Sequence, residues 1–200
     1  MKSKWTTLGG AAVLCAAFSP EIFAQAAVDC PMPGKPAPVA LQNPSFDAVS
    51  AGRPQHWVAK EHRVSGHYEF TVDAVQPRSA PGSARIRQIK VEDFGVLDQT
   101  LAIQPCWRGQ RARLSAHLRT EGADGVGAGL VMQTVSPDGG IQTWNHMNDA
   151  RVRGTQPWKA YTIELAIPEN AERLRVGVML EEQGTLWADD ISLEIVQSAR

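Results

Sequence analysis

The stretch Gln110-Arg111-Ala112-Arg113-Leu114-Ser115-Ala116-His117-Leu118-Arg119-Thr120 decides the fold. Ala112, Leu114, Ala116 and Leu118 fall on one phase; Arg111, Arg113, Ser115, His117 and Arg119 fall on the other. A period of two is that of a β-strand with one face buried and one in water. Working outward, Tyr161, Ile163, Leu165 and Ile167 alternate with Thr162, Glu164 and Ala166. Leu174, Val176, Val178 and Leu180 alternate with Arg173, Arg175, Gly177 and Met179, and Ile191, Leu193 and Ile195 alternate with Ser192 and Glu194. Weaker strands are expected at 67–73, 83–89, 95–103, 127–135 and 140–146. Between them stand Pro81-Gly82, Glu121-Gly122, Pro137-Asp138-Gly139-Gly140, Gly154, Pro168 and Gln183-Gly184, residues that favour turns. Only 169–173 offers a single helical turn. Many short strands with turns at this spacing predict an all-β chain, a sandwich or a barrel.

The ends and the composition narrow the setting. Lys2 and Lys4, an uncharged run from Leu8 to Phe18 and the small residues of Ala24-Gln25-Ala26 have the layout of a secretory signal peptide. Residues 1–26 are read as that peptide, cleaved after Ala26, with Ala24 as the alternative. The apolar run is too short to span a bilayer. The expected location is the periplasm or the exterior, and the mature chain is expected to carry no membrane span. Residues 27–42 hold Pro31, Pro33, Pro36 and Pro38 and read as an extended leader, with one domain over 43–197. A formal net charge of −1 supplies no field for nucleic acid, which is not an expected partner. Of the three cysteines, Cys15 falls within the signal peptide, and export favours a disulfide between Cys30 and Cys106.

Three further stretches carry a resemblance. Asn43-Pro44-Ser45-Phe46-Asp47, Gly82-Ser83-Ala84-Arg85-Ile86 and Leu186-Trp187-Ala188-Asp189-Asp190-Ile191-Ser192-Leu193 resemble the opening, a middle strand and the closing strand of galactose-binding-like jelly rolls. That family includes carbohydrate-binding modules found beside glycoside hydrolases. The resemblance covers nearly all of 43–196 and implies an antiparallel β-sandwich with jelly-roll topology. It also implies a structural Ca²⁺ held by acids at the two ends of the domain, here Asp47 and Asp189 with Asn43 nearby. Asp189 shares a phase with Ile191 and Leu193 and is expected to point inward, where a carboxylate needs a partner. The alternatives to calcium are backbone amides or an arginine. Trp57, Trp107, Trp158 and Trp187 read as structural, Trp187 on the inward phase and Trp107 over the disulfide.

For a ligand, Trp144-Asn145-His146-Met147-Asn148-Asp149 puts an aromatic plane beside amides, an imidazole and a carboxylate, a set that suits a sugar. Trp144, His146, Asn148 and Asp149 are the candidates there. His117 and Arg119, on the polar phase of their strand, and Arg175 and Glu181, on theirs, are expected to line one concave face. Gln133 is a further candidate; it and Val131 stand where similar modules often carry tryptophan or arginine, a departure that takes polar contacts off this face. Catalytic motifs are lacking: there is no G-x-S-x-G elbow, H-E-x-x-H helix or phosphate-binding loop. Glu181-Glu182 and Asp189-Asp190 point to opposite sides of a strand and do not flank one bond; Glu181 with Asp149 stays open. The expectation is a non-catalytic module that binds carbohydrate. The alternatives are a module that binds a cell-envelope protein and, third, a weak carbohydrate-active hydrolase or lyase.

Overall fold

A computed structural model describes residues 30–197. The signal peptide expected over 1–26 lies outside the described residues. The strands are β1 (Ala37–Val39), β2 (Val49–Ser50), β3 (Arg53–Pro54), β4 (Val58–Glu61), β5 (Tyr68–Asp73) and β6 (Ser83–Gln88). They continue with β7 (Phe94–Ala102), β8 (Arg111–Val135), β9 (Ile141–Asn145), β10 (Val152–Ala166), β11 (Arg173–Glu181) and β12 (Thr185–Val196). Among the described residues the one helical element is a 3₁₀ turn at Pro105–Trp107, and no helix is long and apolar enough to cross a membrane.

Every strand pairing is antiparallel, and the result is a jelly-roll β-sandwich. The front layer runs β4-β7-β11-β8-β9 and the back layer β5-β6-β12-β8-β10, with β1 beside β12. β8 belongs to both. Its residues 111–121 pair with β12 and β10, and 127–135 pair with β11. The turn expected at Glu121-Gly122 is therefore no turn. The strand bends there and continues, because Gly125 (φ 81°) and Gly127 (φ 97°) take backbone angles that a side chain disfavours.

The inward phases of both layers meet in one core. Leu114 and Leu118 of β8, Leu174, Val176, Val178 and Leu180 of β11 and Leu186 and Leu193 of β12 are among its buried residues. Phe46 and Trp57 belong to it as well, ring centroids 5.1 Å apart. β12 departs from the expected phase. A bulge at Asp190 (φ 51°) shifts the register between Asp189 and Ser192. Leu186 and Ala188 face inward before it, and Ile191, Leu193 and Ile195 after it. Trp187 and Asp189 thus leave on the outer side of the back layer, opposite Arg119 and His117, contrary to the inward phase read from the sequence. One extra residue inverts a period-two pattern.

Within the proline-rich stretch, Ala37–Val39 pairs with Leu193 to Ile195 of β12. Cys30 is bonded to Cys106 in the 3₁₀ turn, closing a separation of 76 residues. In the chain-entropy picture such a loop stabilises the fold by about 4–5 kcal/mol. Urea unfolding with and without reductant checks this: the midpoint is expected to fall on reduction and in Cys106→Ser. Equal midpoints would show that the bond contributes nothing.

Candidate functional site

The outward phase of the front layer forms a cleft of about 460 Å³. The register sets its floor as rows across the strands. Lys60 of β4, Val96 of β7 and Met179 of β11 form one row, and Asp98, Gly177 and Val131 the next. Arg175, Gln133 and Trp144 form a third across β11, β8 and β9. Val96, Val131 and Met179 make an apolar strip separate from the main core, with Phe94 packed against it. Gly177 keeps the middle of the floor bare: a Cβ there would lie 2.1 Å from the Leu97 carbonyl oxygen. His146, Asn148 and Arg151, from the segment after β9, line one side.

Polar groups around the strip are tied together. Asp98 is 1% exposed, and Lys60 Nζ reaches both of its oxygens at 2.6 and 2.5 Å. Arg175 Nε lies 3.8 Å from the same carboxylate. Arg175 Nη1 donates to Gln133 Oε1 at 3.1 Å, which orients the amide so that its Nε2 donates to His146 Nε2 at 3.0 Å. His146 is then an acceptor at Nε2 and carries its proton on Nδ1. Burial, and next the positive charge of Arg151, hold the His146 imidazole below the ordinary histidine value. Arg151 donates through Nη2 to Glu181 Oε2 at 2.6 Å.

The structure brings Gln133, His146 and Asn148 together at this cleft. Trp144 pairs with Gln133, so it leaves the sheet on the same side; it is 58% exposed and does not itself line the cleft. Asp149 lines a neighbouring hollow with Asn145, Tyr161 and Glu164. Arg175 and Glu181 line the cleft as expected, but His117 and Arg119 do not share that face. They stand on the outer side of the back layer, His117 Nδ1 3.5 Å from Asp190 and the Arg119 guanidinium 4.3 Å above the Trp187 ring. The bend in β8 is the reason: its two halves present their outward residues on opposite faces of the sandwich. Sequence reasoning missed Lys60, Phe94, Asp98, Arg151 and Met179. The signal for one was present: Asp98 interrupts the apolar run Val96-Leu97, and a buried acid implies cations nearby.

The side chains expected to hold calcium are otherwise engaged. Asp189 is fully buried. Its Oδ2 accepts from Ser79 N at 2.9 Å, Ser79 Oγ at 3.0 Å and Ser83 Oγ at 2.8 Å, and its Oδ1 from Asp190 N at 2.8 Å. Asn43 Oδ1 accepts from Ala48 N at 2.9 Å, its Nδ2 donates to the Ala48 and Gln55 carbonyls, and Asp47 is exposed. Donors aimed at the carboxylate hold its charge and would face a cation with their positive ends, so this arrangement does not fit Ca²⁺. Among the described residues, the titratable groups that do converge are His62, Glu92 and Asp93, with His62 Nδ1 2.8 Å from Asp93 Oδ2.

No family model matches the chain. An uncharacterized HTH-type transcriptional regulator of Bacillus subtilis (strain 168), YbfP, is 27% identical over 136 residues, 66% of this chain and 45% of that protein. The chain thus spans less than half the length of that curated relative. Among solved structures, the CBM22-1 xylan-binding domain from Paenibacillus barcinonensis Xyn10C aligns with a TM-score of 0.56 at 16% identity, over 78% of this chain and 93% of that one. The C-terminal family 22 carbohydrate binding module of Clostridium thermocellum Xyn10B gives 0.51 at 15%, over 76% and 89%. An arabinose-bound α-L-arabinofuranosidase, MgGH51, gives 0.57 at 16%, over 78% of this chain and 26% of that one. The fold is that of carbohydrate-binding β-sandwich modules, as the sequence resemblance implied.

Two measurements follow from this geometry. With Asp189 already satisfied by four hydrogen bonds, the melting temperature is expected to be the same in calcium and in chelator; a rise with calcium would place a cation in the fold. For His146, the folded pKa lies below the unfolded value of about 6.5, so the unfolded chain binds the proton more readily in between. Stability from this group is complete above about 6.5 and is lost as the pH falls through the folded pKa. An NMR titration is expected to find His146 titrating below 6.5; a higher value would contradict the environment described.

Proposed function

We propose that the protein is an exported, non-catalytic module that binds carbohydrate across the front-layer cleft. The observation that carries this reading is the cleft itself: an apolar strip bordered by oriented hydrogen-bonding groups, on a fold shared with xylan-binding domains. A sugar ring is apolar on its C–H faces and polar at its edge. Phe94, Val96 and Met179 suit the face. Gln133, His146 through Nδ1, Asn148 and Arg175 suit hydroxyls, and Trp144 supplies a second plane on the same side of the sheet.

Export is supported by the signal-like N-terminus and by the Cys30–Cys106 bond, which belongs to oxidising compartments. A binding role without chemistry is supported by the state of the acids in the cleft. Asp98 is held by Lys60, and Glu181 by Arg151. Asp149, the acid that pairing with Glu181 would require, lines the separate hollow. The partial match to a longer regulator supports a unit that serves in more than one chain context.

A glycan and polysaccharide binding screen tests the proposal. Binding to at least one glycan is expected, weakened about five- to tenfold by Phe94→Ala and by Trp144→Ala, each equivalent to roughly 1–1.4 kcal/mol of ring contact. His117→Ala, on the other face, is expected to bind as the parent does. Loss of binding in His117→Ala with Phe94→Ala unaffected would move the site to the back layer. Failure of the folded protein to bind any glycan would end the carbohydrate reading and direct attention to a cell-envelope protein partner.

A further inference from the structure

We infer that the sugar taken by the cleft is acidic, and that Lys60 and Arg175 hold its carboxylate. This rests on the carbohydrate reading and specifies its substrate class as a uronic-acid glycan.

The argument starts from an uneven share of charge. Lys60 and Arg175 both lean on Asp98, one carboxylate for two cations. The Asp98 side chain is 2% exposed, whereas those of Lys60 and Arg175 are 41% and 36% exposed. An arriving ligand therefore meets the cations and not the anion beneath them. Elsewhere in the cleft Arg151 and Glu181 balance each other. The lining then carries three cations, Lys60, Arg151 and Arg175, against two anions, Asp98 and Glu181, an excess of one positive charge. The whole chain carries −1, so the excess is local and not a reflection of composition.

Placement adds to charge. Lys60 stands directly opposite Val96, and Arg175 directly opposite Gln133 in the row that ends at Trp144. Both cations thus border the apolar strip. A ring lying on Val96 and Met179 brings a carboxyl substituent on its edge to that border. Arg175 uses Nη1 on Gln133, which leaves Nη2 for a ligand oxygen, and Lys60 has a third N–H beyond the two that reach Asp98. A guanidinium and an ammonium side by side match a carboxylate better than a neutral hydroxyl edge. A neutral glycan would leave the excess charge unanswered.

The test compares each acidic glycan with its own carboxyl-reduced form. Polygalacturonate, alginate and glucuronoxylan are titrated into the protein by calorimetry, with the carboxyl-reduced polymers and heparin in parallel. At least one uronic-acid polymer is expected to bind about tenfold or more tightly than its reduced form, and to weaken with added salt. Arg175→Gln and Lys60→Met, checked for native circular dichroism, are expected to weaken the acidic polymer more than its reduced form, so that the ratio of the two affinities falls towards one. Equal affinity for acidic and reduced forms overturns the inference and leaves the cleft a neutral-sugar site. Tight heparin binding without uronate preference also overturns it, in favour of a general anion surface. Binding of no glycan at all overturns the carbohydrate reading with it. If both variants misfold, the comparison of acidic and reduced polymers on the parent protein still decides.

Discussion

One strand holds the two layers in a single geometry. β8 pairs with β10 and β12 in its first part and with β11 and β9 in its last, so neither layer completes its hydrogen bonding without it. The two halves are joined by a glycine-rich bend: Gly125 and Gly127 both take positive φ, and at Gly127 a Cβ would also collide with the Val152 carbonyl. Having no Cβ lets the backbone take positive φ there, and the bend sets which residues of β8 face the core and which face each solvent side. Everything about the cleft, including the row of Arg175, Gln133 and Trp144, is referred to that bend.

Much of the fold was legible because period two is a strong local signal wherever one face is buried. The strands around Leu114, Ile163, Val176 and Leu193 follow from alternation alone. What sequence could not reveal were the places where local rules mislead. Glu121-Gly122 has the chemistry of a turn but sits inside a continuous strand, since pairing on both sides outweighs the turn preference. Asp189 and Trp187 keep the phase of the first half of the last strand, and the bulge at Asp190 shifts the residues after it to the other phase. The cleft was half legible. Gln133, His146 and Asn148 stood out by residue type, whereas Lys60, Phe94 and Arg151 are unremarkable in sequence and acquire their place only through register and loop position.

The buried acids illustrate two solutions to the same problem. Asp189 is covered by chain and satisfied by hydroxyls and backbone amides, which makes it a fastening of the 79–83 segment onto the back layer. Asp98 is satisfied by cations that themselves remain partly in water. The first arrangement is closed. The second leaves hydrogen-bonding capacity at a surface that also offers apolar area, and that combination is what a polar ligand with hydrophobic faces requires. Burial of a carboxylate is thus closed over by chain in one case and left beneath partly exposed cations in the other.

The pairing of Ala37 with Ile195 has a consequence of its own. The chain enters and leaves the sandwich along neighbouring lines on the back layer, while the cleft opens from the front. A polypeptide attached at either end, or a host chain interrupted by the whole unit, would connect through one short edge and leave the cleft unobstructed. Such geometry suits insertion into a longer chain through one edge, with Ala37 and Ile195 a few ångströms apart across one β-ladder.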